Sequence, residues 1–270
     1  MSRLPVARTR LERSLAGRPT IDLEGIQAVA ALQSRHDRKY LVEPVRLAEV
    51  VAAVDVRVLS IGGRTTFAYR STYFDTPDRL CHRDAARSRP SRFKVRTRTY
   101  VDSGRSWLEV KGRSARGRTV KDRIPHPLAP EDELTADGRA FLAGHDVVAP
   151  HVDRLEPALV TAYDRATLLC DQRVTVDVGL HVRTASGEPV PLGDLDELTI
   201  VETKSLRPGP GRFDRALWRA GVRPTRLSKY AVGLAAAEPD LPANKWHRVL
   251  HHHGVRSVVR PGSRPGEGQA

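Results

Sequence analysis

Lysines and arginines recur at every second residue in three consecutive short runs, and that spacing is where chemistry could lie. In RFKVRTRTY (92–100), Lys94, Arg96 and Arg98 alternate with Val95, Thr97 and Thr99. In SWLEVKGR (106–113), Trp107, Glu109, Lys111 and Arg113 alternate with Leu108, Val110 and Gly112. In GRTVKDRI (117–124), Thr119, Lys121 and Arg123 alternate with Val120, Asp122 and Ile124. Strand side chains point alternately to opposite faces, so each run gathers its cations on one face. For a single strand that face would ordinarily meet bulk water. Later runs repeat the pattern. Tyr163, Arg165 and Thr167 share a face in 160–170, Arg173, Thr175 and Asp177 in 173–183, and Glu202 and Lys204 in 198–205. Upstream, Asp37 and Lys39 share one in 35–42.

Gathered by face, the inward set is Lys39, Lys94, Arg96, Arg98, Lys111, Lys121, Arg123, Arg165, Arg173 and Lys204. Its acidic companions are Asp37, Glu109, Asp177 and Glu202. Opposite each charged face lies an apolar one. That inversion predicts an α+β fold built on a closed antiparallel β tunnel of about eight strands. Its lumen would be basic, and helices would cover its outside. Such a lumen suits a multiply charged phosphate chain, because phosphate oxygens accept charge-assisted bonds and arginine grips two at once. The carboxylates point further. They could pair with lumen cations, or hold a divalent metal that bridges phosphate oxygens. Phosphoryl transfer needs mostly positioning and charge neutralisation. No Gly-x-x-x-x-Gly-Lys-Ser/Thr loop is present, so the set points to triphosphate chemistry of a different kind.

Composition agrees. The 270 residues carry 45 Lys plus Arg against 32 Asp plus Glu, a formal net charge of +13. A polyanionic partner follows, although GC-rich coding also raises arginine content. Cys81 and Cys170 are far apart without metal-ligand spacing, as in a reducing compartment. The arginine-rich start lacks the apolar stretch of a secretory signal. No apolar run approaches the ~20 residues of a membrane helix. These features predict a cytoplasmic protein, reaching the inner face of a membrane only peripherally through a partner.

The elements that must position the set are read as follows. Residues 1–20 are expected to be a flexible basic arm, 21–240 the tunnel domain, and 241–270 an extension largely disordered at its end. Helices are predicted over 21–34, over 45–54 with Val45, Leu47, Val50, Val51 and Val54 packed, and over 131–143, 212–221 and 223–237. Strands are predicted over 35–42, 65–76, the three basic runs, 160–170, 173–183 and 198–205. Trp218 and Trp246 read as packing anchors, and His251, His252 and His253 as solvated residues near a loose terminus.

Eight short motifs then recur in order: R-x-D-x-K-Y (35–40), Y-x-S-x-Y-F-D-T (69–76), K-V-R-x-R-x-Y (94–100), L-E-V-K (108–111), Y-x-R (163–165), R-V-T-V-D (173–177), V-E-T-K (201–204) and S-K-Y (228–230). Together the chain resembles the VTC domain, the polyphosphate polymerase domain of the vacuolar transporter chaperone complex and its bacterial relatives. That domain is one of the triphosphate tunnel metalloenzymes. The resemblance implies a tunnel that binds ATP and a divalent metal, manganese or magnesium, and passes the γ-phosphate to phosphate or a growing polyphosphate chain. It implies catalytic contacts from Lys39, Arg96, Arg98, Lys111, Lys121, Arg165, Arg173 and Lys229. It implies substrate binding by Lys94, Arg123, Lys204 and Arg226. Glu202 matches the metal-binding glutamate, with Glu109, Asp37 and Asp177 as further metal candidates. Asp37 stands where the family usually has glutamate. No specific nucleic-acid partner is implied, and a membrane-protein partner is compatible. A hydrolase on the same fold and a non-catalytic polyanion-binding module are the alternatives.

Overall fold

The computed structural model of the chain describes residues 4–30, 36–113, 119–205 and 208–255. Ten strands form one sheet: β1 (Thr20–Ile21), β2 (His36–Val42), β3 (Arg57–Leu59), β4 (Thr66–Asp75), β5 (Lys94–Tyr100), β6 (Arg105–Arg113), β7 (Thr119–His126), β8 (Glu156–Leu169), β9 (Arg173–Thr184) and β10 (Thr199–Ser205). The helices are α1 (Leu4–Leu15), α2 (Leu23–Ala30), α3 (Pro44–Ala52), α4 (Leu80–Ala86), α5 (Ala136–Ala143), α6 (Arg212–Arg219), α7 (Lys229–Ala237) and α8 (His247–His252). The predicted helix over 21–34 therefore spans a short strand and α2, and its Leu32 lies outside the described residues, as does Arg35 of the first motif. The disorder expected at the C-terminal end falls on residues 256–270, which also lie outside them.

The main ladder runs β2–β10–β9–β8–β4–β5–β6–β7, antiparallel throughout; β3 joins β8, and β1 pairs with β3 in parallel. The two ends of this ladder, β2 and β7, are not paired among the described residues, so the expected closed tunnel is instead an open, curved trough. Residues 224–228 run across the inner side from β2 to β5. Thr225 donates its backbone N–H to the Lys39 carbonyl at 2.7 Å, and Ser228 Oγ accepts from Lys94 Nζ at 2.8 Å. Alternation could predict the faces but not closure, because closure depends on total twist and shear across all the strands.

The apolar faces pack outward, as the alternation requires. One core joins Val42, Val174, Val176 and Val201 of the sheet to Leu47, Val50 and Val51 of α3, and to Phe213 and Leu217 of α6. A second joins Val95, Leu108 and Val110 to Leu142 of α5. Val45 does not pack as predicted. It follows Pro44 in the first turn of α3 and stays 73% exposed.

Two further departures have clear causes. Residues 4–15 form α1, not a free arm, and Leu11 and Leu15 are buried in the α3–α6 core. Its arginines hid this packing: Arg8 pairs with Glu12 at 2.9 Å and approaches Asp164 at 3.6 Å. Leu11→Ala should cost about 2–4 kcal/mol, read as a lowered urea midpoint. An unchanged midpoint would mean that α1 adds nothing to the core.

Helices were expected only outside the sheet, yet α7 packs on its inner face. Leu159, Tyr163 and Ile200 form a core there with Tyr230, Val232 and Leu234. Gly233 permits the contact: a Cβ there would lie 2.8 Å from Leu159 Cδ2 and 2.9 Å from Val182 Cγ1. The trough is therefore filled at one end and polar along the rest. No helix among the described residues is long and apolar enough to cross a membrane.

Candidate active site

The inner face gathers most of the predicted cations around three buried or half-buried carboxylates. Strand register does the first part. Lys39 stands opposite Glu202, Arg96 opposite Glu109, and Arg165 opposite Asp177. Cross-strand neighbours on one face have Cβ atoms about 5 Å apart, within reach of an ion pair.

Arg96 donates to Glu109 Oε2 through Nε at 2.8 Å and Nη2 at 2.6 Å, and its Nη1 reaches Tyr73 Oη at 3.1 Å. Arg165 grips Asp177 with both prongs, at 2.5 and 2.7 Å, and Lys229 from the start of α7 donates to the same carboxylate. Arg98 lies against Ser71 Oγ and Tyr163 Oη, both at 3.4 Å. Lys204 bridges Glu202 and Asp37, the latter at 3.2 Å. Lys39 Nζ donates to the Leu227 carbonyl at 3.1 Å. Tyr69 and Tyr163 stack with centroids 5.6 Å apart, and Arg165 lies against both rings.

The electrostatics follow from burial and crowding. Burial alone would raise the Glu109 carboxyl, but Arg96, Arg98 and Lys121 outweigh it and hold the group at about 2. Asp177 is likewise held at about 2, burial being outweighed by Arg165 and Lys229. Glu202 is driven further down, as Lys39 and Lys204 overcome its burial. All three are ionised at neutral pH. Burial lowers Lys94 to about 8, and the charges on Lys39, Arg96 and Lys111 add to it against the opposing effect of Tyr73. Burial would raise Tyr73, but Arg96, Arg98 and Lys94 bring it down to about 8.

The predicted residues do not all converge. Lys111 of β6 and Lys121 and Arg123 of the edge strand β7 share the inner face but stand exposed; Lys121 still acts on Glu109, and Arg123 lies 4.5 Å from the Trp107 ring centroid. Arg226 and Asp37 are also exposed, at the rim by the bridging segment. Arg173 opens β9 half-buried, in register with Lys204. Asp177, a metal candidate by sequence, has both oxygens engaged and so takes an ion-pair geometry. The spacing Y-x-S-x-Y placed Tyr69, Ser71 and Tyr73 on one face, and that signal could have shown the ring-lined wall. Ser228 stands in the S-K-Y motif, but its bond to Lys94 depends on a segment crossing from elsewhere and was not readable locally.

The donors present bear on a divalent metal. Glu109 Oε1 is buried and has no hydrogen-bond partner, an ionised oxygen left over beside cations. Lys204 Nζ lies between the Glu202 and Asp37 carboxylates, where a cation is evidently favoured. Among the described residues no group of three or more His, Cys, Asp or Glu could cage a metal. Isolated carboxylates fit an ion that draws its remaining ligands from substrate phosphates and water, as magnesium-type sites do.

The VTC domain family matches residues 34–238, and the chain belongs to that family. No curated protein matches it. Among solved structures, an adenylate cyclase-like protein of Vibrio parahaemolyticus is 13% identical over 74% of this chain and 97% of its own, with TM-score 0.44. The Hippeastrum protein HpAC1, described as an adenylyl cyclase-like protein with dominant triphosphatase activity, is 15% identical over 78% of this chain and 100% of its own, with TM-score 0.47. A conserved protein of Pyrococcus furiosus is 11% identical over 73% and 99%, with TM-score 0.41.

The titrations give a direct expectation. Rising pH removes the Lys94 charge and adds one on Tyr73, and both changes disfavour a polyanion. Tripolyphosphate affinity should fall between about pH 7 and 9, by at most about tenfold per pH unit for each group. Calorimetric titration of wild type and Tyr73→Phe checks this. An identical slope in the two would exclude the phenol.

Proposed function

We propose that this chain is a metal-dependent phosphotransferase that moves the γ-phosphate of ATP to phosphate or a polyphosphate chain. The observation that carries the reading is Glu202. It is an ionised carboxylate in register with Lys39 on a face otherwise crowded with cations. A face that only bound anions would be weakened by that charge.

Manganese or magnesium would be held by Glu202, with Glu109 Oε1 as a further donor, and when bound would neutralise charge on the transferring phosphoryl group. The chain's own residues do the rest. Lys39, Lys94, Arg96 and Arg98 would hold the triphosphate oxygens. Arg165 and Lys229 are kept in place by Asp177 and would orient the transferring group. An acceptor phosphate oxygen forms the new bond to the γ-phosphorus in line, and the β,γ-bridging bond breaks with its electron pair leaving on ADP. No protein nucleophile takes part.

The test is purified protein with ATP and manganese, with ADP and free phosphate quantified and products resolved on a gel stained for polyphosphate. Long chains with matching ADP are expected. ADP with equal free phosphate and no chains would make it a triphosphate hydrolase. Tight binding without turnover would make it a polyanion-binding module.

A further inference from the structure

Two buried groups take no part in the ion pairs of the inner face. Asp75, at the end of β4, is fully buried, and Tyr230, in the first turn of α7, is 1% exposed. Asp75 is held firmly by backbone. Its Oδ1 accepts from the Thr76 and Cys81 N–H groups, both at 2.8 Å, and its Oδ2 from the His82 N–H at 3.1 Å. Tyr230 Oη donates to the same Oδ2. Burial and the Asp75 charge push the phenol well above its ordinary value, so it stays protonated and is the donor. The Tyr230 ring also stacks on Tyr73, with centroids 4.9 Å apart.

The neighbours of Tyr230 in sequence both reach the site. Ser228 caps α7, accepting from the Ala231 N–H at 3.3 Å, and also accepts from Lys94. Lys229 donates to Asp177, with its Nζ 4.3 Å from the Tyr163 ring centroid. Successive helix residues lie about 100° apart around the axis, so fixing Tyr230 fixes where Lys229 points. A turn of about 10° carries a group about 6 Å from the axis through about 1 Å. The bonds of Ser228 and Lys229 involve cations for which phosphate oxygens would compete. The Tyr230 bond ends instead on a fully buried carboxylate that substrate does not reach.

We infer that Tyr230 and Asp75 are positioning residues, whose bond fixes the rotation of α7 about its axis and so aims Lys229 at the transferring phosphoryl group. The bond holds the first turn of α7 when Lys94 and Lys229 are drawn to phosphate. This rests on the proposed function and names how one of its cations is kept in place.

The test is a double-mutant cycle on the full chain: wild type, Tyr230→Phe, Lys229→Ala and the double variant. Each is assayed for kcat/KM of ADP release from ATP with manganese, and for tripolyphosphate affinity. Phenylalanine keeps the ring and its stack on Tyr73 and removes only the hydroxyl. Alone it should lower kcat/KM by about tenfold or more, within the reach of a 1 Å misplacement. Once Lys229 is alanine, it should change kcat/KM by no more than about twofold. Affinity should follow the same pattern at smaller size, and decides where the alanine variants turn over too slowly to measure. A fall of equal size in both backgrounds makes the bond a structural contact only and overturns the proposal. So does no fall in either, or a Tyr230→Phe chain recovered only as aggregate. Wild type that binds tripolyphosphate without releasing ADP removes the phosphotransferase reading, and the affinity cycle then decides the pair by the same criterion. Wild type that does neither removes both.

Discussion

Glu202→Gln should lower manganese-dependent ADP release from ATP by more than about 100-fold, because it removes a metal-holding charge while keeping the shape. The fold should survive. Lys39 keeps its bond to the Leu227 carbonyl, and Lys204 keeps Asp37. The same substitution separates enzyme from binder by sign. Glu202 is ionised at neutral pH, so glutamine adds one net positive charge to the inner face. Metal-free tripolyphosphate should therefore bind more tightly to the variant than to wild type, although turnover collapses. Calorimetry and an ADP assay on one preparation measure both. Full turnover in the variant would remove Glu202 from the chemistry.

The largest stability effect is expected at a residue outside the trough. Asp214→Ala should cost about 3–5 kcal/mol, the scale for removing one partner of a buried, charged network. Asp214 is fully buried in the first turn of α6. Its oxygens accept from Tyr40 Oη and Thr203 Oγ1, both at 2.7 Å, from Gln172 Nε2 at 3.0 Å, from Arg38 at 3.3 Å, and from the Gly211 backbone N–H at 2.9 Å. Alanine would leave several of these donors buried and unpaired. The consequence reaches the site because Tyr40 and Thr203 adjoin Lys39 and Glu202 in sequence and point to the opposite face. Loosening β2 from β10 would therefore separate the Lys39–Glu202 register pair. Urea denaturation reads the first effect and tripolyphosphate affinity the second. A loss under about 1 kcal/mol would mean that water replaces the carboxylate there.

A small set of residues explains what could be read early. Lys94, Arg96 and Arg98 needed only the two-residue period of a strand to fall on one face, and the apolar partners Val95, Leu108 and Val110 needed only the same period to form the outer core. The ion pairs Arg96–Glu109 and Arg165–Asp177 then followed from register. That logic weakened at the ladder's ends. Lys111, Lys121 and Arg123 carry the same alternation, yet the face they share is exposed, because among the described residues no strand pairs with the free edge of β7.

Local pattern thus determined the strands, their two faces, the basic character of the site and the family to which the chain belongs. Tertiary structure decided the rest, through contacts far apart in sequence. Among the described residues the ladder stays open between β2 and β7, 224–228 ties Lys39 of β2 to Lys94 of β5, α7 enters the trough, and α1 docks on its back. The physical reason is common to all four. A strand's faces are set by the chirality and pleat of its own backbone, whereas closure, bridging and helix docking are set by the summed twist of many strands and by which apolar surfaces remain to be covered.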